Sequence, residues 1–221
     1  MKIALLGSGK TGCEVAKLHK DTAIFNRTTP ITLEALNACD IVISFLPGDV
    51  FKPLIPLLIK SRLPVITGST GFDWDQEDIS KINSQKITWV KAHNFSLGMN
   101  LVKSMIETLS KASELYPDAS FSIHDIHHTH KVDSPSGTAI SWNDWLNKDA
   151  KITAERTGDV IGYHHLEMNS QVEKIKITHE AKDRAIFASG ALWAAQIIQK
   201  DPNRFEGLNN FDKIVKTVLN I

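Results

Sequence analysis

Between Ile123 and Ala139 the chain reads IHDIHHTHKVDSPSGTA, with four histidines (His124, His127, His128, His130), one lysine (Lys131) and two acids (Asp125, Asp133). Imidazole is the side chain whose unperturbed pKa lies near neutrality, so the first half offers groups that could deliver a proton. The second half, Ser134-Pro135-Ser136-Gly137-Thr138, reads as a helix start. Proline is poorly suited to a helix interior, and Ser136 or Thr138 could cap the turn that follows. Free N–H groups at such a turn, with hydroxyls beside them, make a seat for a carboxylate or phosphate. Proton donors running into an anion seat point to an enzyme acting on a small acidic molecule.

The same histidines could hold zinc, but the segment has no cysteine and no H-E-x-x-H pattern. On a strand, His124, His128 and His130 would share one face and His127 the other. Proton or anion chemistry is the preferred use of such a cluster beside lysine, and no metal is assigned.

The elements that must position these groups begin at the N-terminus. Lys2 to Leu6 is a short apolar run that ends at Gly7-Ser8-Gly9-Lys10-Thr11-Gly12, after which Val15, Ala16 and Leu18 recur at helical spacing. Strand, glycine turn and helix make the G-x-G-x-x-G dinucleotide arrangement. Gly7 turns the chain, Gly9 lets backbone approach a pyrophosphate, and Gly12 lets helix pack on strand. Ala4 to Thr11 also fits a relaxed P-loop, but Leu5 and Leu6 would then occupy its loop and leave only Met1 to Ile3 for the strand. The dinucleotide turn is preferred. A second strand, Thr22 to Phe25, ends at Asn26-Arg27. An acid there would bind ribose hydroxyls, whereas Arg27 could meet a 2′-phosphate, which favours NADPH over NADH.

Further apolar runs, Asp40 to Leu46, Leu63 to Thr67 and Ile87 to Lys91, alternate with helical stretches Leu54 to Ile59 and Asp75 to Ser84. That alternation predicts a parallel, doubly wound sheet. The turn Thr67-Gly68-Ser69-Thr70-Gly71-Phe72 could lie along a nicotinamide ribose, and Asn94 of Ala92-His93-Asn94-Phe95-Ser96 could face its carboxamide. Ser96 caps a helix expected through about Leu115. Beyond Pro117 a second unit is expected, with a strand over Ser120 to His128, a helix over Gly137 to Leu146 and an alternating strand over Val172 to Thr178. Ala185 to Gln199 reads as a closing helix. The five tryptophans (Trp74, Trp89, Trp142, Trp145, Trp193) are read as packing residues.

With 25 basic and 25 acidic residues among 221, the formal net charge is zero and no nucleic-acid partner is expected. No apolar run approaches the ~20 residues that span a bilayer, so no membrane partner is expected. The N-terminal apolar core, Ile3 to Leu6, is too short for a signal peptide. Two cysteines, Cys13 and Cys39, suit a reducing compartment, and a cytoplasmic location is expected.

Several blocks in order make the chain resemble the dihydrodipicolinate reductases of bacterial lysine and diaminopimelate synthesis. They are the glycine turn with Lys10, the Thr67 to Phe72 segment, Ala92 to Asn100 (AHNFSLGMN), and above all His127-His128 through Lys131 to Asp133-Ser134-Pro135-Ser136-Gly137-Thr138-Ala139. The late segment His179 to Ala191, with Arg184, Phe187 and Gly190, also looks familial. The resemblance implies a Rossmann-type dinucleotide-binding domain over 1–94 plus 182–221, and an α+β substrate-binding and oligomerisation domain over 95–181. Hinges are expected near Ala92 to Phe95 and Ala181 to Arg184.

By the same resemblance His127 is the general acid and Lys131 its co-donor. His128, Ser136, Gly137 and Thr138 bind substrate. Gly7, Ser8, Gly9, Lys10, Thr11, Gly12, Arg27, Gly68, Ser69, Thr70, Ala92, His93, Asn94, Phe95 and Arg184 bind NADPH or NADH. The implied reaction reduces the cyclic imine derived from 4-hydroxy-tetrahydrodipicolinate, a small dicarboxylate, to tetrahydrodipicolinate. The implied assembly is a homotetramer or homodimer. Asp125 stands where glutamate is commoner, and the span from Ala139 to Arg156 is brief. The rival is a dinucleotide-binding sensor without turnover, which would not need His127, Lys131 and the Ser136-Gly137-Thr138 seat together.

Overall fold

Four-residue runs such as Ile-Ala-Leu-Leu and Ile-Val-Ile-Ser have apolar side chains pointing both ways along a strand, so they are stable only with both faces of their sheet covered. Both runs are fully buried strands in the computed structural model, which describes residues 1–183 and 185–221. The elements begin with β1 (Ile3–Leu6), α1 (Lys10–Leu18), β2 (Thr22–Phe25), α2 (Leu33–Leu36), β3 (Ile41–Ser44), α3 (Gly48–Phe51), α4 (Ile55–Ser61), β4 (Val65–Thr67), α5 (Gln76–Ser84) and β5 (Thr88–Lys91). There follow α6 (Leu97–Ala112), β6 (Ser120–His127), α7 (Gly137–Leu146), β7 (Ala150–Arg156), β8 (Gly162–Asn169) and β9 (Lys174–Ala181). The last are α8 (Ala185–Lys200), β10 (Gly207–Asn210) and α9 (Phe211–Leu219). Met1–Ser96 and Ala185–Ile221 form one compact unit, and the intervening chain forms a second.

The first unit carries a six-stranded sheet in the order β10-β5-β4-β3-β1-β2, with every pairing parallel. Its winding reverses between β1 and β3, and the crevice at the carboxyl ends of such a pair is where open α/β sheets take ligands. Aromatic side chains fill one side of the core. Phe72 and Trp74 stand 5.2 Å apart, and Trp74 meets the buried Trp89 edge-on at 6.2 Å. Helix α8 approaches so closely that a Cβ on Gly190 would collide with the Phe95 carbonyl.

The second unit is a mixed sheet, β7-β6-β8-β9, in which β6 and β7 run parallel and the other pairs antiparallel. Met99, Val102, Ile106 and Leu109 of α6 and Trp142 and Leu146 of α7 cluster with Ile123, Leu166 and Met168 of its strands. Trp142 also donates to the Met99 sulfur at 3.2 Å.

Four features depart from the pattern of the sequence. Helix α6 ends at Ala112, and a 3-10 turn over Ser113–Leu115 finishes the expected stretch. Strand β9 starts at Lys174, because the Ser170 hydroxyl accepts from the amides of Val172 and Glu173 and bends the chain there. Strands β7 and β8 were not expected. Nor does Ala185–Lys200 close the fold, since β10 and α9 follow it. The run Gly-Leu-Asn-Asn has no strand propensity of its own, and β10 exists through its parallel pairing with β5.

Because the Gly190 contact is backbone against backbone, neither side can give way. Gly190→Ala is expected to lower unfolding free energy by about 1–3 kcal/mol in urea titration. An unchanged midpoint would show that α8 has room to move.

Candidate active site

Alternation along β6 turns Ile123, Asp125 and His127 onto the face covered by the helices. Ile123 and Asp125 are fully buried and His127 is 7% exposed. Cross-strand register brings further polar groups beside them. Asp125 pairs with His164 of β8, His164 with His179 of β9, and His127 with Arg156 of β7. One end of this sheet face is therefore apolar and the other is a cluster of charges and imidazoles.

Asp125 is the hub. Its Oδ2 accepts from the Ser136 amide at 2.9 Å and from Arg156 at 3.2 Å. Its Oδ1 accepts from the Ser136 hydroxyl at 2.8 Å and lies 3.2 Å from His164 Nε2. His127 Nδ1 sits 2.8 Å from the same oxygen without the alignment of a linear hydrogen bond. Burial works to raise the Asp125 pKa, but the two Ser136 bonds and the neighbouring imidazoles outweigh it and hold it below the ordinary carboxylate value. Burial pushes His127 down; Asp125 opposes this, while Lys131 and Arg156 add to it. Burial takes His164 from 6.5 to about 4 and also lowers His179.

The chain after β6 folds back onto this hub. Ser136 is the N-cap of α7, its hydroxyl accepting from the Ala139 amide at 3.2 Å. Arg156 reaches the Asp133 carbonyl at 2.5 Å, tying the middle of the loop to β7. Lys131 pairs with Asp133 at 2.7 Å, which lowers the pKa of that carboxyl. Ser136 is thus turned inward, while Gly137 is exposed and Thr138 half-buried on the first turn of α7, which carries no acidic side chain. His128 is half-buried and its amide-bonded turn partner is Lys131, whose N–H donates to the His128 carbonyl at 3.1 Å. The strand stops at His127, so the face expected for His128 and His130 does not exist.

In the first unit the three motif glycines have different reasons to be glycine. Gly7 has φ +91°, and a Cβ on Gly12 would meet the Gly7 carbonyl. Nothing lies within 4 Å of a Cβ on Gly9, the N-cap of α1. The chain's own packing does not call for glycine there, whereas close approach of a pyrophosphate does, so this turn fits a dinucleotide. Ser8 and Lys10 are exposed and Thr11 half-buried beside it. Asn26 spends its side-chain oxygen on the Thr28 and Thr29 amides, forming a turn that leaves Arg27 exposed.

At the end of β4, Gly68 packs against the Phe45 ring, Ser69 meets the Ser44 hydroxyl at 3.2 Å, and Thr70 is exposed. Ala92 donates to the Thr67 carbonyl, His93 is exposed, and Asn94 accepts from the Ser96 amide at 2.8 Å. Phe95 points into the core, 4.7 Å from Phe211. Arg184 lies outside the described residues.

Parallel sheet, glycine turn and proton-donor cluster together define a dinucleotide-dependent oxidoreductase. The family description "Dihydrodipicolinate reductase, N-terminus" matches residues 8–95, and "Dihydrodipicolinate reductase, C-terminus" matches residues 98–212. The 4-hydroxy-tetrahydrodipicolinate reductase of Christiangramia forsetii is 34% identical over 90% of this chain and 92% of its own. That of Xanthomonas euvesicatoria is 32% identical over 75% of this chain and 69% of its own. A dipicolinate-bound dihydrodipicolinate reductase from Paenisporosarcina sp. TG-14 superposes with TM-score 0.78 at 18% identity, covering 97% of this chain and 99% of that one. The chain belongs to the dihydrodipicolinate reductase family.

Asp125, Arg156 and His164 escaped the motif search. The signal was present in the alternation of β6, which puts an acid on the core face two residues before His127. Ligand atoms of Asp125, His127 and His164 lie within 4.8 Å of one another, a spacing that a cation could use. Arg156 already supplies the positive charge against that carboxylate, and Ser136 fills both its oxygens, so the cluster suits an ion-pair network better than a metal.

The buried imidazoles make stability depend on pH. Folded His164 takes up a proton only near pH 4, while the unfolded chain takes one near 6.5, so between those values the unfolded state binds more protons. Stability therefore falls as pH falls through that window, and Asp125, with its depressed pKa, adds to the loss below about 3.8. Scanning calorimetry is expected to show Tm declining from pH 6.5 to 4, with a shallower slope in His164→Gln. A flat Tm across the window would contradict this.

Proposed function

We propose that this chain reduces the cyclic imine derived from 4-hydroxy-tetrahydrodipicolinate to tetrahydrodipicolinate in lysine and diaminopimelate biosynthesis, with NADPH or NADH as reductant. The observation that carries the assignment is His127 held at the end of β6 beside a lysine and an open helix start, in a chain of this family. His127 delivers the proton and Lys131 supports it electrostatically. Lys131, His128 and the first turn of α7 at Gly137 and Thr138 meet the substrate's carboxylates, which then compete with Asp133 for Lys131 and for the Gly137 amide. The Ser136 hydroxyl and amide serve this seat by fixing its position.

The hydride is the chemistry that a bound NADPH or NADH supplies. Gly7 to Gly12 would hold its pyrophosphate at the start of α1, where Lys10 adds positive charge. Arg27 would read a 2′-phosphate and so favour NADPH. The turns Gly68 to Thr70 and Ala92 to Asn94 would line its nicotinamide end, and Arg184 is proposed as a cofactor residue on the family resemblance alone. No helix among the described residues is long and apolar enough to cross a membrane, and the proposed location is the cytoplasm. The proposed assembly is a homotetramer or homodimer, read from the family resemblance.

A coupled assay that generates the substrate enzymatically tests the whole reading. Wild type is expected to oxidise NADPH faster than NADH, with Arg27→Ala erasing the preference. His127→Gln is expected to lose about 100-fold or more in kcat while still binding NADPH. Gly9→Ala is expected to keep its Tm but weaken NADPH binding by fluorescence titration. Absence of turnover from protein that binds NADPH would sink the enzymatic assignment and favour a sensor.

A further inference from the structure

The two ring nitrogens of His127 have unlike surroundings. Nδ1 is buried and 2.8 Å from Asp125 Oδ1, within ion-pair reach but out of line for a linear hydrogen bond. Nε2 faces the other way, towards Gly162, where a Cβ would stand 3.2 Å from Nε2 and 3.6 Å from His164 Cε1. Glycine at 162 thus keeps free the space beside Nε2, and any side chain there would crowd it.

Asp125 is not able to follow His127 if the ring turns. The carboxylate is 0% exposed and is clamped by the Ser136 amide, the Ser136 hydroxyl and Arg156. Arg156 is itself anchored to the Asp133 carbonyl. A fixed anion beside one ring nitrogen favours the tautomer that keeps its proton on that nitrogen, and the partner of one nitrogen decides what the other can do.

We propose that Asp125 is the positioning residue of the proton donor: clamped by Ser136 and Arg156, it holds Nδ1–H of His127 and assigns proton delivery to Nε2, in the space kept by Gly162. This rests on the reading of His127 as general acid. In the step, the Nε2–H bond breaks and its electron pair stays on Nε2, while the C=C π pair that hydride addition leaves in the conjugated substrate breaks open and forms the new C–H bond with the proton. The ring ends neutral with its remaining proton on Nδ1, still facing Asp125. Since the reductant of the proposed reaction supplies the hydride, charge and atoms balance.

The charged and titratable groups around His127 set the sign of the test. They are Asp125 on its own strand, Lys131 and Asp133 on the following loop, Arg156 on β7, and His164 on β8 with His179 behind it. Asp125 favours the imidazolium, whereas Arg156 and Lys131 oppose it. Asp125 and Arg156 therefore pull in opposite directions.

The experiment measures kcat/KM against pH for wild type, Asp125→Asn, Asp125→Glu and Arg156→Gln, and reads the tautomer of 15N-labelled His127 by NMR. Asp125→Asn is expected to lose on the order of 10-fold or more in kcat with NADPH affinity kept. Its basic limb should move to lower pH, while that of Arg156→Gln moves to higher pH. Asp125→Glu, which keeps the charge, should recover part of the rate and place its limb nearer wild type. In wild type above the His127 pKa, the ring should carry its proton on Nδ1. Shifts of the same sign in Asp125→Asn and Arg156→Gln, or a wild-type proton on Nε2, would overturn the proposal. The wild-type spectrum decides even if a variant fails to fold. Full activity in His127→Gln would instead remove the general-acid reading, leaving the tautomer as a separate result.

Discussion

A fully buried carboxylate is tolerated only when its charge and its lone pairs are all met, and Asp125 meets that condition with groups from four different elements. Ser136 comes from the start of α7, Arg156 from the end of β7, and the imidazoles from β6 and β8. Removing one partner from such a network typically costs about 3–5 kcal/mol, because the remaining charge is left stranded. The loop between β6 and α7 therefore closes on Asp125 or leaves it unsatisfied. This is why the histidine and lysine stretch, polar along most of its length, is an ordered part of the sheet end.

The same carboxylate balances the chemistry. Burial alone would make His127 a poor holder of a proton, and Lys131 and Arg156 would make it poorer still. Asp125 works against all three, and the balance leaves His127 a stronger acid than an imidazole in water. His164, deeper and with its pKa near 4, stays neutral and fills the cluster without adding charge. The start of α7 shows an analogous division. Ser136 turns its polar groups inward to fix the helix start, while Gly137 is exposed and Thr138 half-buried.

Much of this was legible from residue order. Strands β1 to β5 announced themselves because short, mostly apolar runs alternating with helical stretches have few other uses, and α7 was marked by Pro135 and Ser136 at its start. Strands β7 and β8 were harder, since runs such as Lys-Ile-Thr-Ala-Glu-Arg do not separate strand from helix by period alone. Strand β10 was hidden because Asn and Gly disfavour strands and its pairing partner lies more than a hundred residues earlier. At the site, His127 and Lys131 stood out by type. Arg156 and His164 did not, since cross-strand register, which local sequence does not encode, brings them to Asp125. Phe95 shows the converse: it sits in a cofactor-like block, yet its side chain belongs to the core.

The first unit is made from both ends of the chain, with the second inserted between Ser96 and Ala185. Thr88 donates to the Pro202 carbonyl across 114 residues, and the edge strand beside β5 is β10. On the ribosome, β5 emerges with one edge unpaired and stays so until β10 is made. The inserted unit is continuous and can assemble while that edge waits. Synthesis order and structural order are thus inverted: of the two units, the one started first is completed last, and the exposed flank of β5 is where a stalled or truncated chain would be prone to pair with a neighbour.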